Sequence, residues 1–260
     1  MKRLILTGIA VLLVGATAVA QRGGYRNAPF SEPSNPRYDG RFMFNRLKYT
    51  VGPGGYYYQR GMPSWAHGSP FAEENLMKII ESISVLKPHV DQGVLMGFDN
   101  PEVFKFPVAF MTEASFWVMS DQEGAAFREY LLKGGFIIFD DFRDPGRFGG
   151  GGLDNLRYNV NRAIPGAELL PMDIQHPIFH CFFEIETFDI VPQAYDSFVR
   201  PSFLGLFEEN NPKKRLLAIV NYNTDISQFW EFSGRGYFPV DESNQAFKLG
   251  VNYIIYGLTH

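Results

Sequence analysis

Apolar residues recur along this chain in two kinds of run. Residues 93–98 (GVLMGF), 107–112 (PVAFMT) and 136–139 (FIIF) are short and continuously apolar, as strands covered on both faces are. Between and after them the period changes to that of helices. Leu76, Ile79, Ile80 and Ile83 fall at i, i+3, i+4 and i+7, with Ser69 as N-cap and Pro70 in the first turn. Ser120 and Glu123 form a capping box that opens a helix running to Lys133. That helix buries Phe127, Tyr130 and Leu131 and stops at Gly134, a glycine where the chain must leave the helix in a left-handed conformation. Residues 153–164 give a third helix, ended by Pro165-Gly166. Phe247, Val251, Ile254, Ile255 and Leu258 share one face of a closing helix.

The remaining segments read as strands and loops. Residues 41–50 (RFMFNRLKYT) alternate and give the first strand, and residues 167–172 (AELLPM) a short one. Residues 176–185 (HPIFHCFFEI) begin as a turn or short helix and end as a strand. FLGLFEENNPKKRLLAIVNYN, residues 203–223, is a hairpin turning at EENNPK. The order β-α-β-β-α-β predicts a layered α/β domain with a mainly parallel sheet and an added β-hairpin. Residues 51–70 lack any apolar period and form a long loop; a loop of that length inside a domain is functional or partly disordered.

The N-terminus changes the picture. Lys2 and Arg3, an apolar core from Leu4 to Val14, and Ala18-Val19-Ala20 form a signal peptide with cleavage after Ala20. The expectation is a bacterial periplasmic or secreted protein, the alternative being an uncleaved anchor. The apolar core is shorter than the roughly 20 residues of a spanning helix, and no second such stretch follows, so no membrane span is expected after cleavage. Residues 21–40 are a flexible segment, and 41–260 a single α/β domain. A net charge of −4 gives no electrostatic footprint for nucleic acid. Cys181, the single cysteine, cannot close an internal disulfide. The 25 Phe and 13 Tyr read as core before they read as a stacking surface.

Candidate chemistry gathers where buried strands end. Ligands bind beyond the carboxyl ends of parallel strands. Asp140 and Asp141 lie at such an end, Glu113 follows Thr112 at another, and Asp99-Asn100 end a third. Neighbouring strand residues face opposite ways, so one of Asp140 and Asp141 reaches the cleft and the other caps a loop. Three uses compete: a carboxylate rim with His176 holding a divalent cation, an Asp acting as base beside His176, or acids that only satisfy backbone N–H groups. His176 and His180 would share a face of a helical turn, with Asp173 nearby, so Asp141, His176 and His180 are the metal candidates. His176 as a cap is the plain alternative. Cys181 reads as a buried structural thiol. Arg143 and Arg147 flank the run Gly149–Gly152, which is an anion site or a plain lid and lacks the residues of a phosphate loop. Tyr56 to Tyr58, with Trp65 and His67, form a stacking platform or ordinary packing.

The segments FNRLKY, SPFAEENL, FPVAFMT, YLLKGGFIIFDD, HPIF, NYNTDISQFWE and KLGVNYIIYGLT, taken in this order, resemble the bacterial family of domain of unknown function 4159. The resemblance covers about residues 41–259. It implies the three-layer, flavodoxin-like arrangement of class I glutamine amidotransferases and trehalose-utilisation-like proteins, and it puts weight on Asp140, Asp141, His176, Asp225, Trp230 and Glu231. No nucleophile elbow is present, and no Cys-His-Glu set can be placed, so a fold inherited without that chemistry is expected. The first functional expectation is a non-catalytic module that binds a small polar ligand or an envelope protein partner, with no resident cofactor. Its cleft would be lined by Asp140 or Asp141, Glu113, Arg143, His176 and Asp225, with Trp65 as a further ligand-binding candidate. A metal-assisted hydrolase is the alternative, and it requires at least three of the acidic and histidine side chains to converge on one ion. Carbohydrate contact through Tyr56–Tyr58 and Trp65 is the third expectation and requires exposed rings.

Overall fold

Seven strands form the central sheet: Asn45–Arg46 (β1), Val94–Leu95 (β2), Val108–Thr112 (β3), Phe136–Phe142 (β4), Leu169–Pro171 (β5), Ser202–Phe207 (β6) and Leu216–Tyr222 (β7). They lie in the order β2-β1-β3-β4-β7-β6-β5 in this computed structural model, which describes residues 30–57, 61–142, 152–191 and 200–260. Pairings among β2, β1, β3, β4 and β7 are all parallel. Only β6 runs the other way, antiparallel to both β7 and β5. The predicted signal peptide, the lead up to residue 29, Tyr58, Arg143, Arg147 and residues 149–151 of the glycine run lie outside the described residues.

Alternation along the strands divides the core in two. In β4, Ile137 and Phe139 face one side with Met111, Phe127, Leu131, Leu156 and Val160. Phe136 and Ile138 face the other with Phe110, Leu76, Ile80, Trp230, Leu249 and Tyr253. The first layer therefore holds the helices Asp121–Leu132 (α2) and Gly152–Ala163 (α3). The second holds Phe71–Ile83 (α1), Ile226–Glu231 (α4) and Val240–Thr259 (α5). The sheet is apolar on both faces because both are covered, which is why its strands read as unbroken apolar runs. Two small antiparallel pairs lie outside it: Thr50–Val51 with Trp117–Val118, and Tyr56–Tyr57 with Met62–Pro63. Among the described residues no helix is long and apolar enough to cross a membrane.

Local signals placed several boundaries. The capping box at α2 is complete, with Ser120 and Glu123 each bonded to the other's backbone, and Gly134 leaves the helix at φ +107°. Other boundaries differ from the sequence reading. The first strand pairs in the sheet only over Asn45–Arg46, because Thr50–Val51 peels away to pair with Val118 and Trp117. Pro70, not Ser69, occupies the N-cap position of α1, and no side chain caps that helix. Residues 180–185 form no strand. The hairpin is not an addition at the edge: β7 is inserted beside β4, so its apolar run is interior. Helix α4 has no long apolar period, being only six residues, and was not predicted.

Candidate functional site

Four adjacent strands deliver side chains to one rim. The loop after β1 returns to the sheet at the short helix Ser64–Ala66 and presents His67. That return is fastened from below. The Arg46 guanidinium, buried in β1, donates to the carbonyls of Trp65 (3.3 Å) and His67 (2.9 Å), and its Nε donates to Glu73 of α1. The Tyr49 hydroxyl lies 2.9 Å from Ser64 Oγ and donates to the carbonyls of Thr112 and Glu113 at 2.9 and 2.8 Å. One phenol thus ties the returning loop to the end of β3.

Glu113 and Asp141 both have left-handed backbones, at φ 50° and 62°. Such a conformation costs a residue with a Cβ roughly 1–2 kcal/mol. At Asp141 it coincides with a bulge. Val220 pairs with Phe139 and Tyr222 with Phe142, so β4 carries one extra residue there. The bulge re-aims Asp141, whose Oδ2 lies 3.0 Å from His67 Nδ1 and 3.5 Å from Thr112 Oγ1. Glu113 Oε1 lies 3.2 Å from the same His67 nitrogen.

Asp225, at the end of β7, is the N-cap of α4. Its Oδ1 accepts from Gln228 N (2.9 Å) and Ser227 Oγ (2.8 Å). Its Oδ2 is buried with no hydrogen-bond partner. The donor atoms of His67, Asp141 and Asp225 all lie within 4.8 Å of one another. Asp141 and Asp225 are buried, and His67 and Glu113 keep 24% and 12% of their side-chain surface exposed, so the cluster opens on their side.

The electrostatics follow from gathering acids away from water. Burial pushes the Asp225 carboxyl up to about 7, helped by the charge of Asp141. Burial also pushes Asp141 up, to about 6, with Glu113 adding to the rise and the hydrogen bond from His67 opposing it. Burial disfavours charge on His67, yet hydrogen bonds to Asp141 and Glu113 outweigh it and hold the imidazole at about 11. Among the described residues, the His67 imidazole thus lies against two carboxyl groups at once.

A family model described as domain of unknown function (DUF4159) matches residues 44–258. The chain belongs to this family. No curated protein matches it. The match runs from just before β1 to the last turn of α5, so all seven strands and all four rim residues lie inside the DUF4159 domain.

Of the residues singled out in the sequence, Glu113, Asp141 and Asp225 come together at the rim. Asp140 does not face it. It is turned to the start of α4, where it accepts from Asn221 Nδ2 (3.0 Å) and from the backbone N–H groups of Ile226 (3.4 Å) and Ser227 (3.0 Å). It is therefore the acid that satisfies backbone donors, through α4 rather than the following loop, and burial pushes its carboxyl well above the ordinary range. Glu231 ends α4, half-buried, with its carboxyl raised by burial.

His176 is at the opposite edge of the sheet. Its ring packs against Phe207 (5.7 Å) and Tyr256 (5.6 Å). Phe207 pairs with the first residue of β7, and Tyr256 packs on Phe136, the first of β4. Four residues of strand, about 13 Å, separate that edge from Asp140. His176 Nδ1 accepts from Ile178 N and caps the short helix Pro177–Phe179, so the cap is its role. The three-residue turn puts His180 on no shared face with it; His180 bonds Glu184 and the carbonyl of Ile174 instead. The grouping of Asp141, His176 and His180 as metal ligands is corrected accordingly, and the histidine at the rim is His67.

The other candidates resolve into packing. Cys181 is half-buried rather than buried; it donates to the carbonyl of Asn252 at 3.3 Å, and burial pushes its thiol up to about 11. Trp230 is fully buried, with Nε1 on the carbonyl of Ala246. Trp65 is 6% exposed and meets Phe30 edge-on, whereas Tyr56 is exposed. The two therefore form no common exposed platform. Arg143 lies outside the described residues. His67 was noticed in the sequence only as a neighbour of Trp65. The signal that pointed to it was the length of loop 51–70.

Proposed function

We propose that this DUF4159 domain is a ligand-binding module whose strand-end rim takes a small, positively charged ligand. The observation that carries this reading is the buried, unpartnered Oδ2 of Asp225, set beside carboxyl groups that, among the described residues, outnumber the imidazole of His67. A buried acceptor without a donor is costly. A cation would supply both the missing partner and the missing charge. The strand order supports a flavodoxin-like ancestry: the parallel strands β2-β1-β3-β4-β7 follow the 2-1-3-4-5 order whose ligand site lies where the connections diverge, between β1 and β3. His67 and Glu113 follow those two strands. The leader pattern of residues 1–20 supports action in the periplasm or outside the cell.

The test is a thermal-shift and NMR titration of the mature chain with small cations, amines among them, and with matched anions. Cations are expected to bind and anions not. Asp141→Asn should abolish cation binding while remaining folded, because Asn tolerates the left-handed backbone that this position requires. His176→Ala, at the far edge, should leave binding unchanged. Binding that survives Asp141→Asn, or a preference for anions, would refute the assignment.

A further inference from the structure

We propose that His67, Asp141 and Asp225, with Glu113 alongside, form a binding site for one divalent cation of the zinc–manganese class; this rests on the rim being the ligand site argued above and names its occupant.

Three donor atoms within 4.8 Å of one another leave room for an ion at their centre. The donor spacing is also that of ligands. Two atoms each about 2.1 Å from a tetrahedral or octahedral metal stand roughly 3.0–3.4 Å apart. His67 Nδ1 lies 3.0 Å from Asp141 Oδ2 and 3.2 Å from Glu113 Oε1.

Asp225 is built as a ligand. One oxygen is anchored by Ser227 and Gln228, which fixes the carboxylate, and the other is buried without a partner. Asp140 anchors the same helix start through Ser227 N, so it holds Asp225 in place from behind. Support of this kind orients the ligands of metal sites. The donor set selects the class of ion. Carboxylates alone would suit Ca²⁺ or Mg²⁺, but an imidazole among them favours a first-row transition metal or zinc.

The mature chain, stripped with a chelator and dialysed, is titrated calorimetrically with Zn²⁺, Mn²⁺, Mg²⁺ and Ca²⁺ separately, with thermal melts in parallel. Zn²⁺ or Mn²⁺ should bind one per chain and raise Tm. Asp225→Asn keeps an N-cap of nearly equal strength, so circular dichroism should show a native fold while affinity falls by about 100-fold or more. Failure of Zn²⁺ and Mn²⁺ to bind, binding confined to Ca²⁺ or Mg²⁺, or undiminished affinity in folded Asp225→Asn would overturn the metal assignment. If metals fail but amines still bind in an Asp141-dependent way, only the metal falls. If neither binds, the rim as a ligand site falls with it.

Discussion

Asp225 uses its two oxygens differently, and that difference makes a stability prediction. Its folded-state carboxyl titrates near 7 because burial and Asp141 disfavour the charge, against an ordinary value near 3.8. A raised carboxyl pKa means that the folded state binds the proton more tightly. Its contribution to stability is full below the unfolded pKa and is lost as pH rises through about 7. Asp225→Asn removes the charge and keeps the cap. In chelator-treated protein the variant should therefore melt higher than wild type at pH 8, by at least about 1 kcal/mol or roughly 2–4 °C, with the gap closing at pH 5. Equal melting temperatures at both pH values would show that the carboxylate is not strained. A gain in stability on removing a charged group is the usual mark of a residue kept for function.

Elements act here mainly by holding one another in register. The loop from β1 to α1 reaches the rim because Arg46 bonds two carbonyls of its return, and Arg46 is in turn neutralised by Glu73 on α1. Both side chains are buried, at 1% and 6% exposure. Removing one partner of a buried ion pair strands the other. Glu73→Ala is expected to cost about 3–5 kcal/mol in urea unfolding and to weaken ligand binding at the rim through His67, which Glu73 does not touch. A loss below about 1 kcal/mol would mean that Arg46 finds other partners. Helix α4 shows the same dependence on neighbours. Its six residues are too few to be stable alone, and they persist because Asp225 caps them, Asp140 receives their free N–H groups, and Trp230 packs on Phe110 at 5.9 Å.

At the scale of the molecule, one sheet serves two cores. Trp117 belongs to the layer with α2 and α3, Trp230 to the layer with α1, α4 and α5. Successive residues of β4 are shared between them, so neither layer can be lost without exposing the other face of the same strands. Chains of this size often unfold through intermediates; the shared sheet predicts a single transition instead. In variants retaining only Trp117 or only Trp230, the fluorescence midpoint in urea should coincide with that variant's own far-UV circular dichroism midpoint. Fluorescence and circular dichroism midpoints that part within one variant would show that the layers are independent.

What the sequence determined by itself is what neighbouring residues decide. The runs at 107–112 and 136–139 specify buried strands because both of their faces are apolar. Ser120, Glu123 and Gly134 specify both ends of α2 through local hydrogen bonds and one left-handed backbone position. The parallel order placed Glu113 and the pair Asp140-Asp141 at strand ends, since carboxyl ends of parallel strands share an edge, and the family resemblance added Asp225. Alternation sends only one of two adjacent aspartates to the rim; tertiary structure alone decided which, because a bulge opposite β7 re-aims Asp141. It also decided which histidine joins them. His176 and His67 both stand in irregular segments with no period to fix their direction. Buried Arg46, twenty-one residues back in the chain, brings one of them back to the sheet, and packing on Phe207 and Tyr256 carries the other to the far edge.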